Sequence, residues 1–520
     1  MDVSFGTIWE AVARSLPAEV AISEPGRDYT YAEFDERSAR LATAFEAAGV
    51  GPGDKVACYQ YNSAAYLETV FAAFKLGAVP VNANYRYTRD ELFSLLRDAD
   101  AAALVFSDEL AANVENAAEH VPTLKPVVRI DAGYENFLSA HDPRPQQPRP
   151  GSDQLFMYTG GTTGRPKGVI WQLADLLHSI FVAVFRPLGV TSPPSDLDEA
   201  VKIAVSARTE GRAPVMMPAV PLMHGTGFFN SLGALLAGGR VVTMRPRGLD
   251  PRHAWETVAT QRVSTIIVAG NAVCRPLVDE LVTGGPHDLS SLRSVLSSGT
   301  ALSDDLKRVL HERASVTITD AIASTEGGPF AFAITSSVDD LPARFFPVPA
   351  TKIVTAEGND VAPGETGVLA YSGPMPLGYY KDTAKTAATF RVIDGVRHAI
   401  PGDLAEVAAD GSVRFLGRGS GVINTGGEKV HPPEVEEVLL AHPAVTDCVV
   451  LGVRDDTWGE RVAAVVATPG GVTEQELRDF ARRSLAGYKV PRSLVLLPEL
   501  RRTPTGKLEL AWAKQIVENS

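Results

Sequence analysis

Residues 158–168 read Tyr158-Thr159-Gly160-Gly161-Thr162-Thr163-Gly164-Arg165-Pro166-Lys167-Gly168, a run of glycines and hydroxyls closed by Pro-Lys-Gly. Glycines let the backbone turn tightly at positive φ and bring N–H groups close to a ligand. Consecutive N–H groups in such a turn form a concave nest for anions, and Thr159, Thr162 and Thr163 add hydroxyl donors. Lys167 adds a mobile point charge. The stretch is therefore expected to cradle a polyphosphate. A Walker A loop needs Gly before its Lys and Ser or Thr after it. Here those places hold Pro166 and Gly168, which excludes the P-loop NTPases. A flexible surface loop remains the alternative until the rest of the chain is considered.

Upstream, Leu155–Tyr158 is a short apolar strand running into the loop, reached through the Pro-rich connector 141–151. Ligands of open α/β sheets bind at strand ends. Further upstream, Pro25-Gly26 marks a hairpin turn within Glu19–Thr30, and Phe34, Leu41 and Phe45 recur at helical spacing until Gly49. Strand-like Lys55–Tyr59, Val79–Asn82 and Ala103–Phe106 alternate with helical Ala64–Leu76 and Asp90–Ala99. Such alternation predicts a layered α/β domain built of βαβ units with mainly parallel sheets.

With 520 residues, more than one domain is expected. Small residues gather at Gly417–Gly421 after the strand Val413–Leu416, and the last hundred residues read β-α-β-β-α, with helix Pro433–His442, strands Val445–Val453 and Arg461–Thr468, and helix Thr473–Leu485 following the glycines. The expected division is a large domain over 1–417, a hinge at 418–421 and a small mobile α+β domain over 422–520.

Lys and Arg number 49 against 62 Asp and Glu, a net charge of −13 that argues against a nucleic-acid partner. Cys58, Cys274 and Cys448 are too few and too scattered for a disulfide or metal framework, and no basic-then-apolar leader opens the chain, so the cytoplasm is expected. Residues 213–239 carry no Asp, Glu, Lys or Arg, but Pro214, Pro218, Pro221, His224 and Asn230 interrupt them. They suit a buried strand–loop–helix beside an apolar cavity better than a membrane span. The polar segment 186–212 reads as a surface excursion, helical from Asp196 to Ala207.

Further stations follow the glycine loop in order. They are Pro221-Leu-Met-His224-Gly225-Thr-Gly227-Phe228, Ser297-Ser-Gly299, Asp320-Ala-Ile-Ala-Ser-Thr325-Glu326, Pro401-Gly-Asp403, Arg418, Gly426-Gly427-Glu-Lys429 and Thr503-Pro-Thr-Gly-Lys507. Singly each is weak: a lone His on an apolar face is usually a satisfied core residue, and a Lys on a turn is usually solvated. Glu326, if buried near a phosphate loop, would call for a cation such as Mg²⁺. Asp403 after a tight turn could accept two ribose hydroxyls.

In order and spacing the stations resemble the adenylate-forming superfamily of acyl-CoA synthetases, adenylation domains and luciferases, across nearly the whole chain. The resemblance implies that 158–168, with Gly160, Gly161 and Gly164, grips the β- and γ-phosphates of ATP. It makes Thr159 and Glu326 the Mg²⁺ ligands, and Gly299, Asp320 and Thr325 adenine- and phosphate-site residues. Asp403 becomes the ribose acid and Arg418 a ribose or phosphate contact. It further implies that Lys507 bridges the substrate carboxylate and the α-phosphate, that Gly426, Gly427 and Lys429 face the pantetheine of coenzyme A, and that His224 stands at the mouth of an acyl pocket containing Gly225, Gly227 and Phe228. The pattern leaves a homodimer open.

The chain departs from that pattern at Ile322, where an aromatic residue usually stacks on adenine, and at Ser420 and Asn424 around the hinge. Amino-acid-activating relatives place an Asp just after the 221–224 station; here Gly225-Thr226-Gly227 follows, so an ammonium-bearing substrate would lack its counter-charge. A fatty acid or a bulky ring-bearing acid is expected, and 270–279 with the 186–212 insertion resembles actinobacterial ligases for sterol side chains. The alternatives are an acyl-AMP ligase loading a carrier protein, or a silent nucleotide-binding homologue. Replacing Lys507 by Ala is expected to abolish acyl-adenylate formation and spare thioester formation from supplied acyl-AMP. Equal loss in both half-reactions would remove that role from Lys507.

Overall fold

The computed structural model describes residues 4–160, 166–244, 248–299, 302–418, 421–430, 432–501 and 510–520. Residues 161–165 of the glycine loop and residues 502–509, with Lys507, lie outside them.

Two mainly parallel sheets build the large domain, as the strand–helix alternation predicts. One has seven strands. Gln154–Gly160, Val79–Asn82, Lys55–Tyr59, Ala101–Ser107 and Val127–Ile130 run parallel, and Pro166–Gln172 and Gly378–Tyr379 close one edge antiparallel. The other has nine strands, with a parallel centre of Val20–Glu24, Arg240–Val242, Val215–Pro218, Thr265–Val268, Ser294–Ser298 and Thr317–Ser324. Its edges are antiparallel: the hairpin partner Arg27–Thr30, and Gly327–Thr335 with Phe346–Pro347.

The helices Phe5–Ser15, Ala64–Leu76, Leu173–Val184 and Gly225–Leu236 share one apolar core with strands of both sheets. Trp9 anchors it, stacked on Tyr31 at 5.0 Å and edge-on to Phe34 at 5.3 Å. Its indole N–H donates to Asp35 Oδ1 at 2.6 Å, and the buried Lys75 ammonium joins Asp35 at 2.7 Å to Glu10 at 2.8 Å. A buried cation with two acceptors is tolerable; without Lys75 two carboxylates would face each other in the core.

Residues 213–239 form a buried strand Val215–Pro218 and helix Gly225–Leu236, and no helix among the described residues is long and apolar enough to cross a membrane. The 186–212 segment is more than a surface excursion. Its helix Leu197–Thr209 starts on the Asp196 cap and buries Ala200, Ala204 and Ala207, the first two within the core of the large domain.

Two features escaped the sequence reading. Within residues 351–418 six strands form a fully antiparallel sheet, ahead of the small domain in the chain, while Gly378–Tyr379 joins the seven-stranded sheet. The small domain adds the short hairpin Ile423–Thr425/Glu428–Val430 before its first helix, then strand Ser493–Leu497 lying parallel to Gly459–Ala467, and helix Leu510–Glu518. Short strands of three to six residues carry too little periodicity to stand out.

Gly238 shows how closely the 197–209 helix approaches. It has φ +75°, and a Cβ there would lie 2.4 Å from the carbonyl oxygen of Ala204. Backbone cannot yield as a side chain can. Gly238→Ala is expected to destabilise the large domain by about 2 kcal/mol or more, read as a lowered denaturation midpoint; an unchanged midpoint would mean that the helix moves away freely.

Candidate functional site

Gln154–Gly160, which leads into the glycine run, pairs antiparallel with Pro166–Gln172, which follows it, so the two flanking segments are neighbouring strands of one sheet. Residues 161–165, with Gly161, Thr162, Thr163 and Gly164, lie outside the described residues, but both flanking strands are placed. Thr159 pairs with Lys167 across the two strands, and Lys167 forms an ion pair with Asp382. The Lys167 contact, with the Lys385 amide, holds the Asp382 carboxyl below its ordinary range.

Asn82 sets the position of this strand pair. Its Oδ1 accepts from the Tyr158 amide at 2.6 Å, while its Nδ2 donates to the carbonyls of Tyr158 at 3.1 Å and Met223 at 2.7 Å. One buried amide thus locks the glycine-loop strand to the 221–224 station. A second tie is Trp171, whose indole N–H donates to the Thr325 carbonyl at 3.1 Å. Beside it, Glu326 sits buried at the turn between strands Thr317–Ser324 and Gly327–Thr335, accepting from the Tyr379 hydroxyl at 2.9 Å.

Asn82, Tyr158, Met223, Trp171 and Thr325 line one cleft of about 1360 Å³, whereas Glu326 is buried and does not. Thr159, Gly299, Asp320, Thr325 and Asp403 all line it. Gly299 has φ +96°, which the bend after strand Ser294–Ser298 requires. Asp320 is buried and ion-paired with buried Lys307 at 3.0 Å. Burial pushes its carboxyl up, opposed by Lys307 and the Ser297 hydroxyl. Asp403 is buried at the start of strand Asp403–Val407, just after Gly402 at φ +93°. Arg418 pairs with Asp403 across the antiparallel sheet, which brings two sequence-separated stations together.

The apolar wall comes from the uncharged segment and its neighbours: Ile180, Ala183, Phe229, Ile322 and Phe332. His224, the N-cap of helix Gly225–Leu236, and Gly225 stand at this wall. Gly227 and Phe228, expected in the pocket, point elsewhere. Phe228 is a core residue 5.9 Å from Tyr66, and Gly227 is buried against the Pro221 carbonyl, 2.9 Å from where its Cβ would lie. The neighbouring Phe229 takes the pocket position, because one helical step rotates a side chain by about 100°.

Across the cleft stands the Gly426–Lys429 loop of the small domain. Gly426 and Gly427 have φ of +59° and +84°, so the hairpin turn needs both. A Cβ on Gly426 would lie 2.6 Å from the Trp458 ring, and one on Gly427 would meet Ala269 of the large domain at 3.9 Å. Between them and Lys429 the sequence reading passed over Glu428, which the structure makes central. Its Oε1 is 3.0 Å from His224 Nε2 and 3.5 Å from Arg86, and its Oε2 accepts from Asn84 Nδ2 at 3.3 Å. Burial alone would raise this carboxyl; His224, Arg86 and Asn84 outweigh burial and hold it below its ordinary value. Asn424 adds a further cross-domain bond, from Nδ2 to the Gly299 carbonyl at 2.9 Å. The described residues thus place the glycine hairpin of the small domain at the mouth of the cleft.

A cleft of this size, lined by stations from several segments of an α/β domain and bordered by a hairpin of a small domain, has the outline of an adenylating enzyme. The chain belongs to the AMP-binding enzyme family, which matches residues 9–380, and the C-terminal domain of such enzymes matches residues 434–507. It is 38% identical to a 3-oxocholest-4-en-26-oate–CoA ligase of Rhodococcus rhodochrous, over 99% of this chain and 96% of that protein. A feruloyl-CoA synthase of Amycolatopsis is 33% identical over 95% of both chains. Among solved structures, an o-succinylbenzoate CoA synthetase from Bacillus subtilis aligns with a TM-score of 0.82 at 24% identity, covering 100% of this chain and 99% of that one; this shows the common fold.

Because Glu428 is held below its ordinary value, its contribution to docking persists at neutral and mildly acidic pH. It is lost only as pH falls through that lowered value, below the ordinary carboxylate pKa of about 4.3. Hydrogen exchange of 423–430 is therefore expected to stay slow from about pH 7 to pH 5 and to quicken in Glu428→Gln at both. Equal protection in the variant would mean that the carboxylate does not hold the loop.

Proposed function

We propose that this protein is an AMP-forming acyl-CoA ligase for an apolar carboxylic acid, fatty or steroid-like. The observation that supports it most is the sharing of one cleft by nucleotide-type stations, an uncharged wall and the glycine hairpin of a second domain. On this reading the domains divide at 1–417 and 422–520 with a hinge at 418–421, and the enzyme works in the cytoplasm.

In the first half-reaction a carboxylate oxygen of the acid attacks the α-phosphorus of ATP. The bond to pyrophosphate breaks and an acyl-adenylate remains. Two anions must meet in a protein of net charge −13, so the barrier is largely electrostatic, and local donors must lower it. The amides and hydroxyls of 158–168 hold the outgoing pyrophosphate, Lys167 adding its charge. Asp403 accepts from the ribose hydroxyls with Arg418 alongside, and Gly299, Asp320 and Thr325 frame the base and α-phosphate. Ile322 gives the adenine an apolar face without stacking. Lys507 meets the substrate carboxylate and α-phosphate.

Thr159 and Glu326 suit Mg²⁺, since a hydroxyl and a carboxylate are hard oxygen donors and this ion usually takes one or two carboxylates plus substrate phosphates. When bound it would neutralise phosphate charge.

In the second half-reaction the thiolate of coenzyme A attacks the acyl carbonyl, the bond to AMP breaks and the thioester forms. Gly427, where a Cβ would meet nothing nearer than Ala269 at 3.9 Å, leaves room for the pantetheine arm, which Lys429 flanks; Gly426 makes the turn against Trp458, and Glu428 orients the His224 ring at the acyl pocket. The steroid and fatty acids named for the relatives match the uncharged wall at Ile180, Ala183 and Phe229.

The test is AMP release dependent on both ATP and coenzyme A across fatty, aryl and steroid acids. Turnover is expected with apolar acids and not with amino acids. Adenylate formation without thioester would favour a carrier-protein acceptor, and no turnover with any acid would favour a silent homologue.

A further inference from the structure

Lys489 stands on the turn before strand Ser493–Leu497 of the small domain, and only 4% of it is exposed. Its ammonium is 2.6 Å from Glu434 Oε1 and 2.8 Å from Glu91 Oε1. Glu434 belongs to its own domain, in the first turn of helix Pro432–Leu440. Glu91 belongs to the large domain, on helix Arg89–Asp98, where its other oxygen accepts from the Thr88 amide at 2.9 Å as a helix cap. The rings of Tyr87 and Tyr488, one from each domain, lie 5.7 and 5.8 Å from the ammonium. Arg86, which reaches Glu428, lies 5.9 Å from the Tyr488 ring. A lysine so enclosed is costly to bury, and its two carboxylates and two ring faces offset that cost.

The bond to Glu434 would staple the small domain together in any orientation. The bond to Glu91 exists only while the small domain rests as it does here, with Glu428 against His224. We propose that Lys489 is a positioning residue for the thiol-transfer step: by clasping Glu91 it holds the Gly426–Lys429 hairpin over the cleft, and it releases Glu91 when the small domain turns to present Lys507. The clasp rests on the ligase reading above, since that reading gives the two orientations their separate tasks. Lys489 acts through the hairpin and touches no reacting atom. Its charge matters more than its bulk, because a neutral side chain would leave Glu91 and Glu434 facing each other without a cation.

Three full-length variants test it. Glu91→Gln keeps an oxygen for the Thr88 cap and removes the charge facing Lys489; Lys489→Met removes the cation at similar volume; Lys489→Arg keeps the charge. Three quantities are measured: the rate of dodecanoyl-AMP formation from the acid and ATP, the rate of thioester formation from supplied dodecanoyl-AMP and coenzyme A, and hydrogen exchange of 423–430 without substrates. In Glu91→Gln and Lys489→Met, thioester formation is expected to fall about 10- to 100-fold with adenylate formation unchanged or faster and the hairpin exchanging faster. Lys489→Arg should stay within about 3-fold of the parent in both rates. Equal falls in both half-reactions, or parental exchange and rates in Glu91→Gln, overturn the proposal. The exchange measurement needs no substrate, so it decides the clasp even if the parent protein makes no thioester and the ligase reading itself fails.

Discussion

A carboxylate buried between two bodies cannot stand alone, and Glu428 is such a carboxylate. It leaves the small domain and finds its partners, His224, Arg86 and Asn84, on the large one. Desolvation makes the arrangement conditional. With the domains together the charge is compensated; with them apart it must return to water. Electrostatics therefore favours this docking of the two domains.

The same logic organises the interior of the large domain. Lys75 between Glu10 and Asp35, and Lys307 against Asp320, are buried cations that make buried acids tolerable. Neutral amides and indoles join separate loops where charge would be expensive. Asn82 links the glycine-loop strand to the 221–224 station, and Trp171 links its partner strand to Thr325. The cleft is thereby lined by segments far apart in the chain but tied within one or two hydrogen bonds of one another, which is the preorganisation that charge-stabilising catalysis needs.

Much of this was legible in the chain itself. The alternation of apolar runs and helical spacing over residues 19–107 marks a parallel α/β layer, because strand and helix periods differ and both recur there. The glycine and hydroxyl run at 158–168, the uncharged stretch at 213–239 and the Gly426–Lys429 block are visible because their composition is unusual. Asn82, Trp171, Glu91 and Lys489 carried no such signal: each is an ordinary residue whose role comes from a partner 76 to 398 positions away. The placement of Phe229 rather than Phe228 in the pocket is likewise invisible to spacing, since it turns on how the helix Gly225–Leu236 is rotated against its core.

The sequence by itself determined the layered α/β architecture, the order of the stations along the chain and the Gly-Thr-Gly, without an Asp, that follows the 221–224 station. These follow from local composition and period. Only the tertiary structure decided that Glu428 answers His224, that the 197–209 helix belongs to the core, and that Lys489 spans the two domains. Those are matches between distant residues, and burial gives them their energy: a charge or an amide acquires its meaning only when water has been removed and a single partner is left to replace it.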